Sequence, residues 1–269
     1  GDLAAKGDII LKSNNGDIHN RDDFKDYNGL TISTSNVKLL APNGLIDNTQ
    51  DIIALGNVDI TAKTGLSNFA YDVFAGEDIN LTATAGDVVN ISMLESFGGN
   101  ITIKAEQGSI VNGKADNAQT GDIFAWGGDV ILEATGAPNG DKFVALDGKE
   151  YRNGSVVNYG DIVAIKSEDE SSKGTITLKS QNADVFNYDD FNTLQGNTDY
   201  SGYQVSTGNL NISAEKGEVY NTKNLIADGN VDIKAKIGLT NFAYEIYANE
   251  NINLTATGGN LINNPVLVS

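Results

Sequence analysis

The sequence predicts an all-β fold, a right-handed parallel β-helix with three short strands per coil of about 21 residues and with loop and hairpin insertions. Three observations predict it. Residues 56–84 (GNVDITAKTGLSNFAYDVFAGEDINLTAT) return almost unchanged at 229–257 (GNVDIKAKIGLTNFAYEIYANENINLTAT). The swaps Ser67/Thr240, Asp72/Glu245, Val73/Ile246 and Phe74/Tyr247 keep polarity and shape, so packing geometry holds these positions. A shorter unit lies inside the long one, with the core Gly-Asn/Asp-[Ile/Val/Leu]-x-[Ile/Leu]-x-[Ala/Ser] followed by Gly-x-[Ile/Val/Leu]-x-Asn. It starts at 7, 56, 77, 99, 174, 208, 229 and 250. Finally, apolar residues alternate within each unit: Val231, Ile233 and Ala235 fall on one face, Asp232, Lys234 and Lys236 on the other, the period of a half-buried strand.

Each part of the coil follows from that pattern. The last full unit divides into strands at Glu245–Ala248, Ile252–Ala256 and Leu261–Asn263, separated by Asn, Gly and Asp turns. One coil cannot bury its apolar face alone, so stacking must align interior columns. The expected columns are Ile52/Val73/Leu225/Ile246, then Val58/Ile79/Ile101/Leu210/Val231/Ile252, then Ala62/Ala83/Ala105/Ala214/Ala235/Ala256. Asn90, Asn112, Asn158, Asn187, Asn221 and Asn263 close the third segment and are predicted to form an asparagine ladder that satisfies backbone groups of the neighbouring turn. The spacing breaks at 20–29, 113–127, 136–154, 167–173 and 188–204. The insertion 136–154 alternates at Phe143, Ala145 and Tyr151, which predicts a small hairpin off the shaft. HNRDDF at 19–24 matches FNYDDF at 186–191, extending the duplicated blocks to about 7–84 and about 174–257. The whole of 1–269 reads as one β-helix domain of roughly a dozen coils, about 55 Å long.

Composition narrows the function. There are 36 acidic and 18 basic residues, a formal net charge of −18, which repels phosphate backbones and anionic membranes and argues against nucleic-acid binding. The chain has no cysteine, so disulfides and thiolate metal sites are excluded. No apolar run is long enough to span a bilayer, and the first residues, GDLAAKGDIILKS, lack the pattern of an export signal.

The Gly-Asn-[Ile/Val/Leu]-x-[Ile/Leu]-x-Ala-x-x-Gly-x-[Ile/Val/Leu]-x-Asn units resemble the haemagglutinin-type repeats of two-partner-secretion exoproteins, the filamentous haemagglutinin-like adhesins and contact-dependent inhibition sticks of Gram-negative bacteria. The resemblance covers essentially the whole chain. It implies a β-helix secreted through an outer-membrane partner and displayed as a cell-surface filament. APNGLIDN at 41–48 faintly resembles a secretion-domain motif of that family, but the rest of such a domain is missing, so the segment reads as shaft. The chain starts almost in register and stops in mid-pattern, as a piece of a longer filament would.

Chemistry is weighed against scaffold. A lyase needs a strong cation beside a base, and the candidates are only Arg21, Arg152 and His19. A glycosidase needs two spaced carboxylates; Asp22/Asp23 and Asp189/Asp190 are the pairs on offer, and a solvated loop is the simpler reading. Glu168-Asp169-Glu170 suits a hard cation no better than it suits water. The expectation is therefore a non-enzyme with no catalytic residue, cofactor or metal. Aromatic residues gather on or near the insertions: Phe24, Tyr27, Trp126, Tyr151, Tyr159, Tyr188, Tyr200 and Tyr203. Exposed rings of this kind stack on sugars or anchor a protein partner, whereas buried ones cover the coil beneath. The expected partner is a host or bacterial surface receptor or glycan, and the rival reading is a carbohydrate-binding or carbohydrate-cleaving β-helix. Six Asn-x-Ser/Thr sequons begin at Asn80, Asn90, Asn100, Asn153, Asn211 and Asn253, several of them by-products of the strand pattern.

Overall fold

The structure, a computed structural model, describes residues 2–21, 29–114, 121–137, 141–145, 148–166, 173–189, 202–264 and 266–268. The chain visits three parallel sheets in rotation and builds a right-handed β-helix whose sheets hold eleven, ten and ten strands. A two-stranded antiparallel hairpin stands apart from them. Glu245–Ala248, Ile252–Ala256 and Leu261–Asn263 are the three strands of one coil, as the alternation predicts. Among the described residues ten complete coils are followed by one further strand, Val266–Val268. The stack is therefore about 48 Å long at about 4.8 Å per coil, shorter than the dozen coils expected, because the insertions consume chain without adding height.

The register aligns the predicted columns. Val58 pairs with Ile79, Ile79 with Ile101, and Ala62 with Ala83 and then Ala105, and all of these are buried. Ser180 interrupts the alanine column; its hydroxyl donates to the Gly154 carbonyl at 2.7 Å and accepts from the Ala183 N–H at 2.9 Å, which satisfies it in the core.

The region 113–173 looks aperiodic in sequence yet supplies strands to all three sheets: Ile123–Ala125, Val130–Ala134, Val156–Asn158 and Ile162–Ala164. Two expected breaks are accordingly shorter than read. Ile123–Ala125 lies inside the expected insertion 113–127, and Tyr203–Ser206 overlaps the end of 188–204. Both strands are short and follow an insertion, so no neighbouring unit marks their period.

The asparagines form a continuous amide ladder. Each Nδ2 donates to the Oδ1 of the next coil, from Asn20 through Asn48, Asn68, Asn90, Asn112, Asn158, Asn187, Asn221 and Asn241 to Asn263, at 2.7–2.9 Å. The second Nδ2 hydrogen bonds a carbonyl in the same coil's turn, as Asn90 does to Ser92 at 2.9 Å and Asn158 to Gly160 at 2.8 Å. The amides thus pair with each other and with their own turns, not with the neighbour's backbone as expected, because in-register stacking sets identical side chains one coil apart.

A second polar ladder explains the Asn or Asp that precedes the middle strand in all units but the one where Thr175 stands. Asn36 Oδ1 accepts the Asn57 N–H at 2.8 Å, Asn57 the Asp78 N–H at 3.0 Å, and Asp78 the Asn100 N–H at 2.7 Å. Asp87 does the same before the third strand, accepting the Ser109 N–H at 2.7 Å. Burial pushes the Asp87 carboxyl above the ordinary carboxylate range, against the lowering effect of that hydrogen bond. A folded-state value above the unfolded one means that the folded chain binds the proton better, so Asp87 costs stability as pH rises through the window between the two values. Asp87→Asn keeps the acceptor and removes the charge. The expected result is a higher thermal midpoint at pH 7 that converges on the unsubstituted protein below about pH 4, the unfolded carboxylate value; equal midpoints at pH 7 count against it.

Candidate interaction surface

The insertion 136–154 forms the predicted hairpin, Lys142–Val144 against Glu150–Arg152 with Phe143 opposite Tyr151. Gly136 and Gly154 bound it, both at positive φ (78° and 93°), and a Cβ on Gly154 would lie 2.8 Å from the Gly136 Cα. Only glycine lets the two chain segments pass at this neck. The hairpin folds back over the outward face of the third sheet. There Val111 and Val157, residues that would otherwise meet water, are buried together with Ala145, Tyr151, Tyr159 and Tyr188. Ring contacts run from Phe143 through Tyr151 (5.8 Å), Phe186 (5.0 Å) and Tyr188 (5.7 Å) to Tyr220 (5.5 Å) and Phe242 (6.0 Å). Tyr159 stacks on Tyr188 at 5.4 Å, and the Tyr151 and Tyr159 hydroxyls share a hydrogen bond of 3.2 Å. Lys149 Nζ lies 5.2 Å from the Tyr188 ring centroid. Arg152 clamps the hairpin to the shaft through two bonds to Asp184, whose Oδ1 also accepts the Glu218 N–H at 2.7 Å.

The expected partner-binding residues therefore divide. Tyr151 and Tyr188 are buried in this cluster and offer little ring face to a partner. Tyr203 is half-buried; its N–H donates to Asp161 Oδ1 at 3.0 Å, and burial together with the Asp161 and Asp122 charges raises its phenol pKa. Trp126 is 39% exposed. Phe24, Tyr27 and Tyr200 lie outside the described residues, as do Asp22, Asp23, Asp190 and the 168–170 acidic run.

Trp126 belongs to a surface that the loop-based reading missed. Along the first sheet the outward positions run Ile32, Ile53, Phe74, Glu95 and Phe124 in register. Trp126 stacks on Phe124 at 5.8 Å with 5° between the planes and donates from Nε1 to Glu95 Oε1 at 2.7 Å. Phe97, 59% exposed, and Leu55, 65% exposed, sit at the same corner on earlier coils. Aligning the coils would have exposed this platform, since Glu95 and Phe124 are outward strand positions while Leu55, Phe97 and Trp126 each follow the last residue of their coil's first strand. Asp72 borders it, its carboxyl raised by burial and by repulsion from Asp51 and Glu95.

The candidate catalytic cations are engaged elsewhere. Arg21 Nε donates to Asp47 Oδ2 at 2.7 Å, with His19 Nδ1 at 3.7 Å from the same oxygen, and Arg152 is committed to Asp184. Arg152 is the last residue of the hairpin strand Glu150–Arg152. Asp189 is fully buried and accepts the Gly202 N–H at 2.8 Å, so it is not the solvated loop acid expected. Of the sequons, Asn90 is consumed by the ladder and buried. Among the described residues no group of three or more His, Cys, Asp or Glu is placed to hold a metal ion, and no helix is long and apolar enough to cross a membrane. No protein-family model, curated protein or solved structure matches the chain.

Proposed function

We propose that this chain is a non-enzymatic shaft segment of a secreted or cell-surface adhesin-like exoprotein, exported through an outer-membrane partner and presenting a binding or toxin region at a distance. The observation that carries the reading is the amide ladder. Ten asparagines bonded coil to coil along the whole described stack make an element that transmits load along one axis and has no use in chemistry at a single site. The resemblance of the repeat units supports the cellular setting. Single-molecule stretching between residues near the two ends tests it. Unfolding in coil-sized steps at high force is expected, and a single collapse at low force sinks the load-bearing role.

The Phe97, Phe124, Trp126 and Glu95 platform favours a second reading, in which the shaft also binds a neutral glycan by stacking and by a carboxylate that accepts hydroxyl hydrogen bonds. Trp126 is the chain's single tryptophan, so its fluorescence reports on this surface directly. Titration with cellohexaose and laminarihexaose that leaves the emission unchanged, beside a blank glycan array, leaves the shaft reading alone.

A further inference from the structure

Lys223 is one of the largest fully enclosed side chains, 1% exposed, and neither the shaft reading nor the aromatic surface uses it. It stands two residues beyond the ladder residue Asn221, whose Nδ2 bonds the Lys223 carbonyl at 2.9 Å, at the corner where the third sheet hands over to the first. Its Nζ lies 2.5 Å from Asp161 Oδ1, which also accepts the Tyr203 N–H. Asp161 is two coils away, and the coil between them presents Gly202. A Cβ on Gly202 would lie 2.8 Å from Lys223 Nζ and 2.1 Å from Asp189 Oδ1, so glycine opens the passage the lysine needs. Asp189, fully buried, stands beside the amine on that passage. A primary amine, 1% exposed, thus touches a carboxyl whose side chain is 23% exposed and lies near a second carboxyl that is fully buried. Burying an ammonium and carboxylate pair is costly, and condensation removes both charges at once.

We propose that Lys223 and Asp161 condense into an amide crosslink within the shaft. The Nζ lone pair attacks Asp161 Cγ, the new C–N bond forms, and one Cγ–O bond breaks. The departing oxygen takes two of the three ammonium hydrogens and leaves as water, so charge and atoms balance with no oxidant or cofactor. Asp189 takes a proton from Nζ and returns it to the leaving oxygen. Asp122, whose Oδ1 accepts the Asp161 N–H at 2.8 Å, holds the electrophile's backbone in place. The product ties three coils covalently across the neck of the 188–204 insertion. This inference stands independently of which partner the parent protein binds.

The test is the denatured intact mass of the purified chain followed by peptide mapping. The expected result is a mass one water below that of the sequence, with a branched peptide joining the segments that hold Asp161 and Lys223. A full sequence mass overturns the proposal. Lys223→Met and Asp161→Ala are expected to restore the full mass, whereas retention of the water loss in Lys223→Met places the dehydration elsewhere, such as a succinimide, and also overturns it. Asp161→Asn is expected to reach the same final mass as the crosslinked protein by releasing ammonia. Asp189→Asn is expected to leave more uncrosslinked chain at early times; crosslinking at the unsubstituted rate overturns the proton relay assigned to Asp189.

Discussion

Asn112→Ala is expected to lower the stability of the chain by about 3–5 kcal/mol, measured by urea denaturation with far-UV circular dichroism. Asn112 is fully buried. Its Oδ1 accepts from Asn90 at 2.8 Å, and its Nδ2 donates to Asn158 Oδ1 at 2.7 Å and to the Gly121 carbonyl at 2.6 Å. Alanine deletes all three bonds and leaves their partners in a dry interior, where each orphaned group costs about 1–3 kcal/mol. Asn112→Asp separates this from simple loss of volume, because the side chain keeps its shape but turns an oxygen toward two acceptors. Only the protonated acid can donate to either of them, so its folded pKa rises and the variant loses stability as pH climbs above about 4, the unfolded value. A pH-independent Asn112→Asp, or an Asn112→Ala cost below about 1 kcal/mol, would show that the ladder is incidental to coil cohesion.

The parts of the fold that were legible in the sequence are those repeated without interruption. Alternation in 229–257 fixed the faces and limits of its strands, since a half-buried strand leaves a period of two that no turn residue obscures. Ile123–Ala125 was hidden because a unit of three residues, flanked by insertions, carries too few alternations to show a period. The surface was less legible than the core. Tyr151 and Tyr188 carried two readings, rings open to a partner or rings covering the coil beneath, and the hairpin folded onto an apolar outward face buries both, the second of these. Phe97 and Phe124 went unremarked because their neighbours in space are one coil away in sequence, and only alignment of successive coils makes Ile53, Phe74, Glu95 and Phe124 a column. Lys223 lies on the same line of argument, since its partner Asp161 is separated from it by 62 residues.

Because strand pairing joins each coil to its immediate neighbours, with side-chain contacts such as Lys223–Asp161 reaching one coil further, removal of a whole coil and removal of one residue have opposite expected outcomes. Deleting residues 58–78 joins Asn57 to Ile79. Ile79 then faces Val37 where Val58 did, Leu94 faces Ile52 where Val73 did, Asn90 follows Asn48 in the ladder where Asn68 stood, and Asn57 Oδ1 receives Asn100 N–H instead of that of Asp78. Every interior column keeps its chemistry, so the variant should fold, with small-angle scattering reporting a rod shorter by about 4.8 Å. Deleting Thr102 alone, in the strand Ile101–Ala105, leaves Ile101 inside but turns Ile103 and Ala105 outward and drives Lys104 into a core packed between Leu81 and Leu132. An unpaired buried lysine together with the lost burial of two apolar residues exceeds about 5 kcal/mol, comparable with the whole stability of many domains. Loss of the cooperative transition in this variant, beside a near-normal transition in the coil deletion, is the expected pair of results. The reverse ordering would mean that coils 58–78 and 79–100 are not interchangeable units, and would remove the physical basis on which a duplicated block can lengthen a shaft.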